Sequence, residues 1–145
     1  MSEENRAVAL KFMEAMASNN PELADECVAE DGIAIAMGTT KFAGVRNRDQ
    51  MVGGIELFKR MIPTGLRFTI GDVTAEGNRV VVEAKGNAVT AAGTPYRNQY
   101  CFVFTLKDGK IKKAHEYFCT KLADEVLWPV AEKAGGMRAS AAGAE

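Results

Sequence analysis

The chain has 145 residues, 47% of them hydrophobic and 26% charged, with a formal net charge of −1. That size suits one domain able to bury roughly two-thirds of its unfolded surface. The even charge balance, with no basic block, argues against nucleic acid as a partner.

No apolar run approaches a membrane span, and the opening "MSEENRAVAL" is acidic rather than signal-like. Three cysteines (Cys27, Cys101, Cys119) form no CxxC pair, and a single histidine cannot build a usual zinc site. The expectation is a reduced, cytoplasmic protein without metal or cofactor. Ala9, Phe12, Met13 and Met16 recur at helical spacing and predict a first helix, with Glu3 and Glu4 suited to its start. "NPEL" opens a second, with Asn20 as cap and Pro21 in the first helical position. "GIAIAMG" reads as a short strand. Asn47 with Gln50 resembles a capping box for a third helix carrying Met51, Ile55, Phe58 and Ile62 on one face, ended by Pro63.

From Leu66 the chain turns to strands: "LRFTIGDVTA", "RVVVEAKGNAV", "PYRNQYCFVFTLK" and "KIKKAHEYFC". Asp108-Gly109 and Gly77-Asn78 are hairpin turns. "TKLADEVLWP" makes a closing helix, capped by Thr120 and stopped at Pro129, and the tail from Gly135 is a small-residue extension. Helices followed by an antiparallel meander predict an α+β fold, a single domain over 1–134 with helices on one face of a curved sheet.

Two-residue turns fix register, and directly opposed residues share a face. A turn at Asp108-Gly109 sets Phe102 opposite His115, Tyr100 opposite Tyr117 and Asn98 opposite Cys119. A turn at Gly77-Asn78 sets Asp72 opposite Glu83, Ile70 opposite Lys85 and Phe68 opposite Asn87. A two-residue turn at Ala92-Gly93 joins the halves, with Lys85 opposite Tyr100. One face then carries Phe68, Lys85, Glu83, Asn87, Asn98, Tyr100, Phe102, His115, Tyr117 and Cys119. Polar groups on an aromatic face read as a pocket with convergent polar side chains, since burying them unpaired costs several kcal/mol. The alternative is a bulge that turns Glu83 and Lys85 to water and Val80, Val82 and Ala84 inward.

"AGVRNRDQMVGGIELF" and "GTPYRNQYCFVFTLKDGKIKKAHEYFCTKLADEVL", with the helix-first order, resemble the SnoaL-like branch of the nuclear transport factor 2 superfamily. The resemblance implies a cone-shaped fold with a deep apolar pocket, a homodimer formed through the outer sheet face, and acid–base chemistry without a cofactor. At the closing corner the family pattern Glu-Tyr-x-Asp-Thr has Cys119 in place of its carboxylate, and a thiol does not replace a carboxylate as base without a strongly lowered pKa. The residues of the limonene-type epoxide hydrolases are also missing: Ala34, Ala36, Glu83 and Lys85 stand at those positions, which excludes that mechanism.

The resulting expectation is a lyase or isomerase acting on an apolar aromatic or polycyclic small molecule. Lys85, Glu83, Tyr100 and His115 are its catalytic candidates, and Asn98, Tyr117, Cys119, Asn87, Phe102 and Phe68 its substrate-binding candidates. The alternative is a binding protein of the same fold without chemistry.

Overall fold

The computed structural model describes residues 2–135. In chain order the elements are α1 (Ser2–Ala17), α2 (Pro21–Cys27), β1 (Val28–Ala36), β2 (Gly44–Asn47), α3 (Arg48–Met61), β3 (Thr69–Glu76), β4 (Arg79–Lys85), β5 (Ala88–Val89), β6 (Pro95–Tyr96), β7 (Gln99–Lys107) and β8 (Lys110–Phe118). A helical segment closes the described chain: α4 (Thr120–Leu122), a π-helical turn (Ala123–Leu127) and α5 (Trp128–Lys133). The main sheet runs β2-β1-β8-β7-β4-β3, with β1 and β8 parallel and every other pair antiparallel. The architecture is α+β, as the order of helical and strand patterns implies. The expected small-residue tail lies, after Gly135, outside the described residues.

The helix signals act as read. Ala9, Phe12, Met13 and Met16 are buried where α1 crosses β3, β4 and β8. Asn20 accepts the Leu23 amide at 3.1 Å, and the Asn47–Gln50 capping box is complete, with bonds of 2.8 and 2.9 Å. Two readings fail: Thr120 does not cap the last helix, since Cys119 holds the cap position without a side-chain bond and Thr120 is already helical, and Pro129 does not stop it. The π-helical turn ahead of it resets the hydrogen-bond ladder, so Pro129 falls in the first turn of α5, where no amide hydrogen is needed.

The strand register departs from expectation at three places, each a count of one residue. The first is the β7–β8 hairpin. Its turn is as expected, with Asp108 and Gly109 at φ 51° and 74° and Lys107 opposite Lys110. Leu106 then pairs with Ile111, but Thr105 pairs with Lys113, so Lys112 is an extra residue. The cause is the adjacent pair Lys112-Lys113. Strict alternation from buried Ile111 would drive the Lys113 ammonium into the core, and the bulge avoids this.

The neighbouring strand is shaped to match. β1 leaves its ladder between Val28, opposite Ile111, and Ile33, opposite Lys113. Gly32 sits at that crossing, where a Cβ would stand 2.6 Å from Val28 Cγ1 and 2.8 Å from the Ile111 carbonyl oxygen. Asp31, in the looped segment, forms an ion pair with Lys112.

The second departure is the link from β4 to β7. The turn holds three residues rather than two, Ala91, Ala92 and Gly93, closed by Thr90 N–H to Thr94 O and Gly93 N–H to Thr90 O, both 2.9 Å. Gly93 takes φ 83°, the left-handed position that three-residue hairpins require. Lys85 therefore opposes Gln99, not Tyr100, and Glu83 opposes Cys101. The third is a bulge in β3 between Ile70 and Val73, so Asp72 does not oppose Glu83 as expected. Val80, Val82 and Ala84 are buried, and Glu83 and Lys85 are exposed on the opposite face.

Two glycine substitutions separate close packing from free space. Gly32→Ala should lower folding stability by roughly 1–3 kcal/mol, the usual cost of overpacking. Gly53→Ala, on α3 with nothing within 4 Å of its would-be Cβ, should raise it by roughly 0.5–1 kcal/mol. Urea unfolding of both variants checks the pair, and a neutral Gly32→Ala would contradict the packing of the bulge.

Candidate functional site

The bulge at Lys112 decides what β8 presents to the helices. Downstream of it, Ala114, Glu116 and Phe118 face inward, opposite Phe104, Phe102 and Tyr100. His115 and Tyr117 oppose Val103 and Cys101 on the outer face, where Tyr117 is 44% exposed. On the other flank, Ala36 pairs with Glu116, while Ala34 pairs with both Ala114 and Arg46. The two alanines keep the surface of β1 low. An arginine on β2 can therefore extend across β1 toward Glu116, two strand spacings away, on the order of 10 Å.

These residues bound a cavity of about 100 Å³ between the inner sheet face, α1, α3 and the C-terminal helical segment. Its walls are mostly apolar, with Phe12 and Met16 from α1, Met51, Ile55 and Phe58 from α3, and Phe42 ahead of β2. Phe42 packs edge-on against Trp128, with ring centroids 5.0 Å apart. Gly54 of α3 also lines the wall. The polar lining comes from Glu116, Arg46, Gln50, Tyr96 and Tyr100.

Glu116 is the group with unusual chemistry. The residue is half-buried, with its carboxyl set deep in the protein at the cavity wall. Burial pushes its carboxyl up to about 7, against the pull of the Arg46 charge. Arg46 is 8% exposed and donates from Nη1 to the Phe42 carbonyl oxygen at 2.9 Å. Burial loosens the Arg46 proton and the Glu116 charge holds it, so the side chain stays a cation. Near neutral pH the cavity thus passes between an ion pair and a cation beside a neutral acid.

A second polar group stands nearby. Asn98 is 1% exposed. Its Oδ1 accepts the Gln99 and Cys119 amides at 2.7 and 3.1 Å, and its Nδ2 donates to the Cys119 carbonyl at 3.0 Å and to Tyr96 Oη at 2.9 Å. Burial raises Tyr96, while bonds from Asn98 and Tyr100 draw it back. Tyr100 is pushed well above the ordinary phenol range by burial and by its neighbours Tyr96 and Glu116. Both phenols therefore stay protonated at neutral pH.

Several expected site residues stand elsewhere. Glu83, Lys85, Asn87, Tyr117 and Cys119 are exposed and do not line the cavity, and His115 lies on the outer face. Asn87 accepts Arg97 Nε at 3.2 Å. Asn98 is committed to holding the β6–β7 and β8–α4 corners together, so its amide does not reach a ligand. Tyr100 and Phe102 do line the cavity, and Phe68 packs edge-on to Tyr100 at 5.0 Å beside it.

Sequence reasoning missed Glu116, Arg46 and Tyr96. The Lys112-Lys113 pair was the available signal for Glu116, because it forces a phase change in β8. Arg46 sits on a four-residue strand too short to show alternation. Among the described residues, no three His, Cys, Asp or Glu side chains converge to hold a metal ion, and no helix is long and apolar enough to cross a membrane.

Residues 9–114, well over half of the chain, match the model of the SnoaL-like domain. The chain belongs to the SnoaL-like family. No curated protein matches it in sequence. PrhC from Penicillium brasilianum aligns over 92% of this chain and 92% of its own, with 19% identity and a TM-score of 0.77. An LEH-like epoxide hydrolase from M. tuberculosis covers 87% of this chain and 90% of its own (16% identity, TM-score 0.70). A protein described as a SnoaL-like polyketide cyclase, from Jannaschia sp. CCS1, covers 87% and 92% (18% identity, TM-score 0.70). At these identities the likeness shows the fold alone. SnoaL-like and related folds thus serve cyclases and epoxide hydrolases, and what this SnoaL-like chain does must be read from its own cavity.

The Glu116 shift makes stability depend on pH. Its folded pKa lies above the ordinary 4.5, so between about 4.5 and 7 the folded state binds more protons than the unfolded one. Its contribution is present in full below that window and is lost as pH rises through it, by on the order of 2–3 kcal/mol. Glu116→Gln should flatten this slope and gain stability over the wild type at pH 8. Urea unfolding at pH 5 and 8 measures both, and parallel slopes would contradict the burial of this carboxyl.

Proposed function

We propose that the protein is a cofactor-independent acid–base enzyme, an isomerase or lyase, that moves a proton on a small apolar molecule with Glu116 as the proton carrier. One observation carries the reading: a carboxyl at the wall of an apolar cavity, held near neutrality by burial opposed by Arg46. A group with that pKa can both take and return a proton at neutral pH.

The charge bookkeeping supports it. When Glu116 takes a proton from carbon, the negative charge passes to the substrate, and Arg46 remains its counter-ion. No uncompensated charge is created in a low-dielectric site. Returning the proton at another carbon is an isomerisation, and expelling a leaving group instead is an elimination.

The cavity also narrows the substrate. About 100 Å³ is smaller than the engineered cavities of about 150 Å³ that take benzene. In the conformation described, this argues against a polycyclic ligand and sets one ring as the upper limit. A non-catalytic binding protein is the second reading, favoured by the absence of a carboxylate at Cys119, which lies exposed at the family's usual catalytic corner.

The test is proton exchange. With small enolisable ketones, acetophenone first, the wild type should accelerate exchange of the α-hydrogens in D2O, followed by NMR, with an inflection near pH 7. Glu116→Gln should lose at least ~100-fold, the lower range of general acid–base contributions. An equal rate in Glu116→Gln would remove Glu116 from the chemistry, and ligand binding without exchange in either protein would favour the binding reading.

A further inference from the structure

The cavity has a rim, and α3 supplies most of it. Among the residues that line the cavity, Gln50, Gly54 and Phe58 on α3 and Glu116 and Phe118 on β8 are half-buried, and the others are buried. Gln50, Gly54 and Phe58 are spaced four apart, so they form one line along the helix. Met51 and Ile55, on the adjoining line, also face the cavity and are buried. A cavity meets water where its lining is exposed. The line through residues 50, 54 and 58 is therefore its edge on α3.

Gly54 is a gap in that edge. The Gln50 side chain is turned back to the start of the helix, where its Oε1 accepts the Asn47 amide at 2.8 Å. Phe58 stands one turn beyond Gly54. Between the two, Gly54 presents no side chain to the cavity. The backbone does not require glycine here: Gly54 lies inside α3 without a positive φ, where glycine is the poorest helix former after proline. Gly53 has the same weakness, but it is exposed and does not line the cavity.

We infer that Gly54 is the entrance to the cavity and a specificity-determining residue. Its missing side chain admits molecules of up to one ring, and any side chain at this position narrows the passage. The inference rests on reading the cavity as the substrate site. It adds the route by which a substrate reaches Glu116.

Xenon and benzene test this, since both enter apolar cavities and differ in size. Their binding and release rates are measured by NMR exchange in wild type, Gly54→Ala, Gly54→Leu and Gly53→Leu, with affinities from titration. The wild type should take up both. Gly54→Ala should slow benzene but not xenon, and Gly54→Leu should slow both. For benzene in Gly54→Leu, binding and release should fall together by at least about tenfold, the effect of having to displace one side chain. Its affinity should stay unchanged. Gly53→Leu, pointing to solvent from the same helix, should keep wild-type rates for both probes.

Wild-type benzene rates in either Gly54 variant overturn the inference. So does a weaker affinity at unchanged binding rate, which would make Gly54 a wall of the cavity and not its entrance. Equal slowing in Gly53→Leu, or no uptake of benzene by the wild type, overturns it as well. If Gly54→Leu does not fold, the benzene rates of Gly54→Ala decide. Benzene offers no proton for Glu116 to move, so this result stands apart from the Glu116→Gln exchange experiment, and either can fail without the other.

Discussion

The bulge in β8 at Lys112 is the constraint on which the rest of the site depends. Two lysines follow one another in a strand that is buried on one side, and a β-strand cannot keep both out of the core without a phase change. The fold supplies that change with one extra residue, accommodated by a matching loop in β1 that only glycine at position 32 allows. The Asp31–Lys112 ion pair marks the place from outside. Its own energy is small, since both groups are largely exposed. The geometry is the consequence that matters: every residue after the bulge changes sides, and Glu116 turns into the cavity.

Once Glu116 is inside, its neighbours set its chemistry. Burial alone would hold the carboxyl neutral, and an ion pair alone would hold it charged. Here the two oppose each other and leave it near neutrality. The small side chains of Ala34 and Ala36 are part of this balance. They add no polar group of their own, and they leave room for Arg46 to act across a strand. Asn98 shows the opposite use of a buried polar side chain. All its hydrogen-bonding capacity is committed, most of it to backbone, so it fixes a corner and orients Tyr96 without offering anything to a ligand.

Glu116 and the two phenols divide the site by protonation. Glu116 exchanges its proton near pH 7, and Tyr96 and Tyr100 keep theirs far above it. A cavity built this way can hold an oxygen with one group while moving a proton with another. No cofactor has to be invoked for proton transfer of this kind.

The sequence by itself determined the α+β class, the first three helices and the long strands, the caps at Asn20 and Asn47, the buried stripe of α1 and both two-residue turns; it showed neither the four-residue β2 nor the cap of the last helix. Those signals are local: a cap, a helical period or an Asp-Gly turn is complete within a few residues. It also placed Tyr100 and Phe102 on the inner face. Which of Glu83, Lys85, His115, Tyr117 and Glu116 faces the helices was decided only by the tertiary structure. In a strand the side-chain period is two, so an odd count anywhere between two strands inverts the answer. The three-residue turn at Ala91–Gly93 and the extra residue at Lys112 are such odd counts. Whether they occur depends on what the neighbouring strand can pack against, at Gly32 and at the buried Ile111 and Ala114, and that contact exists only once the sheet is assembled.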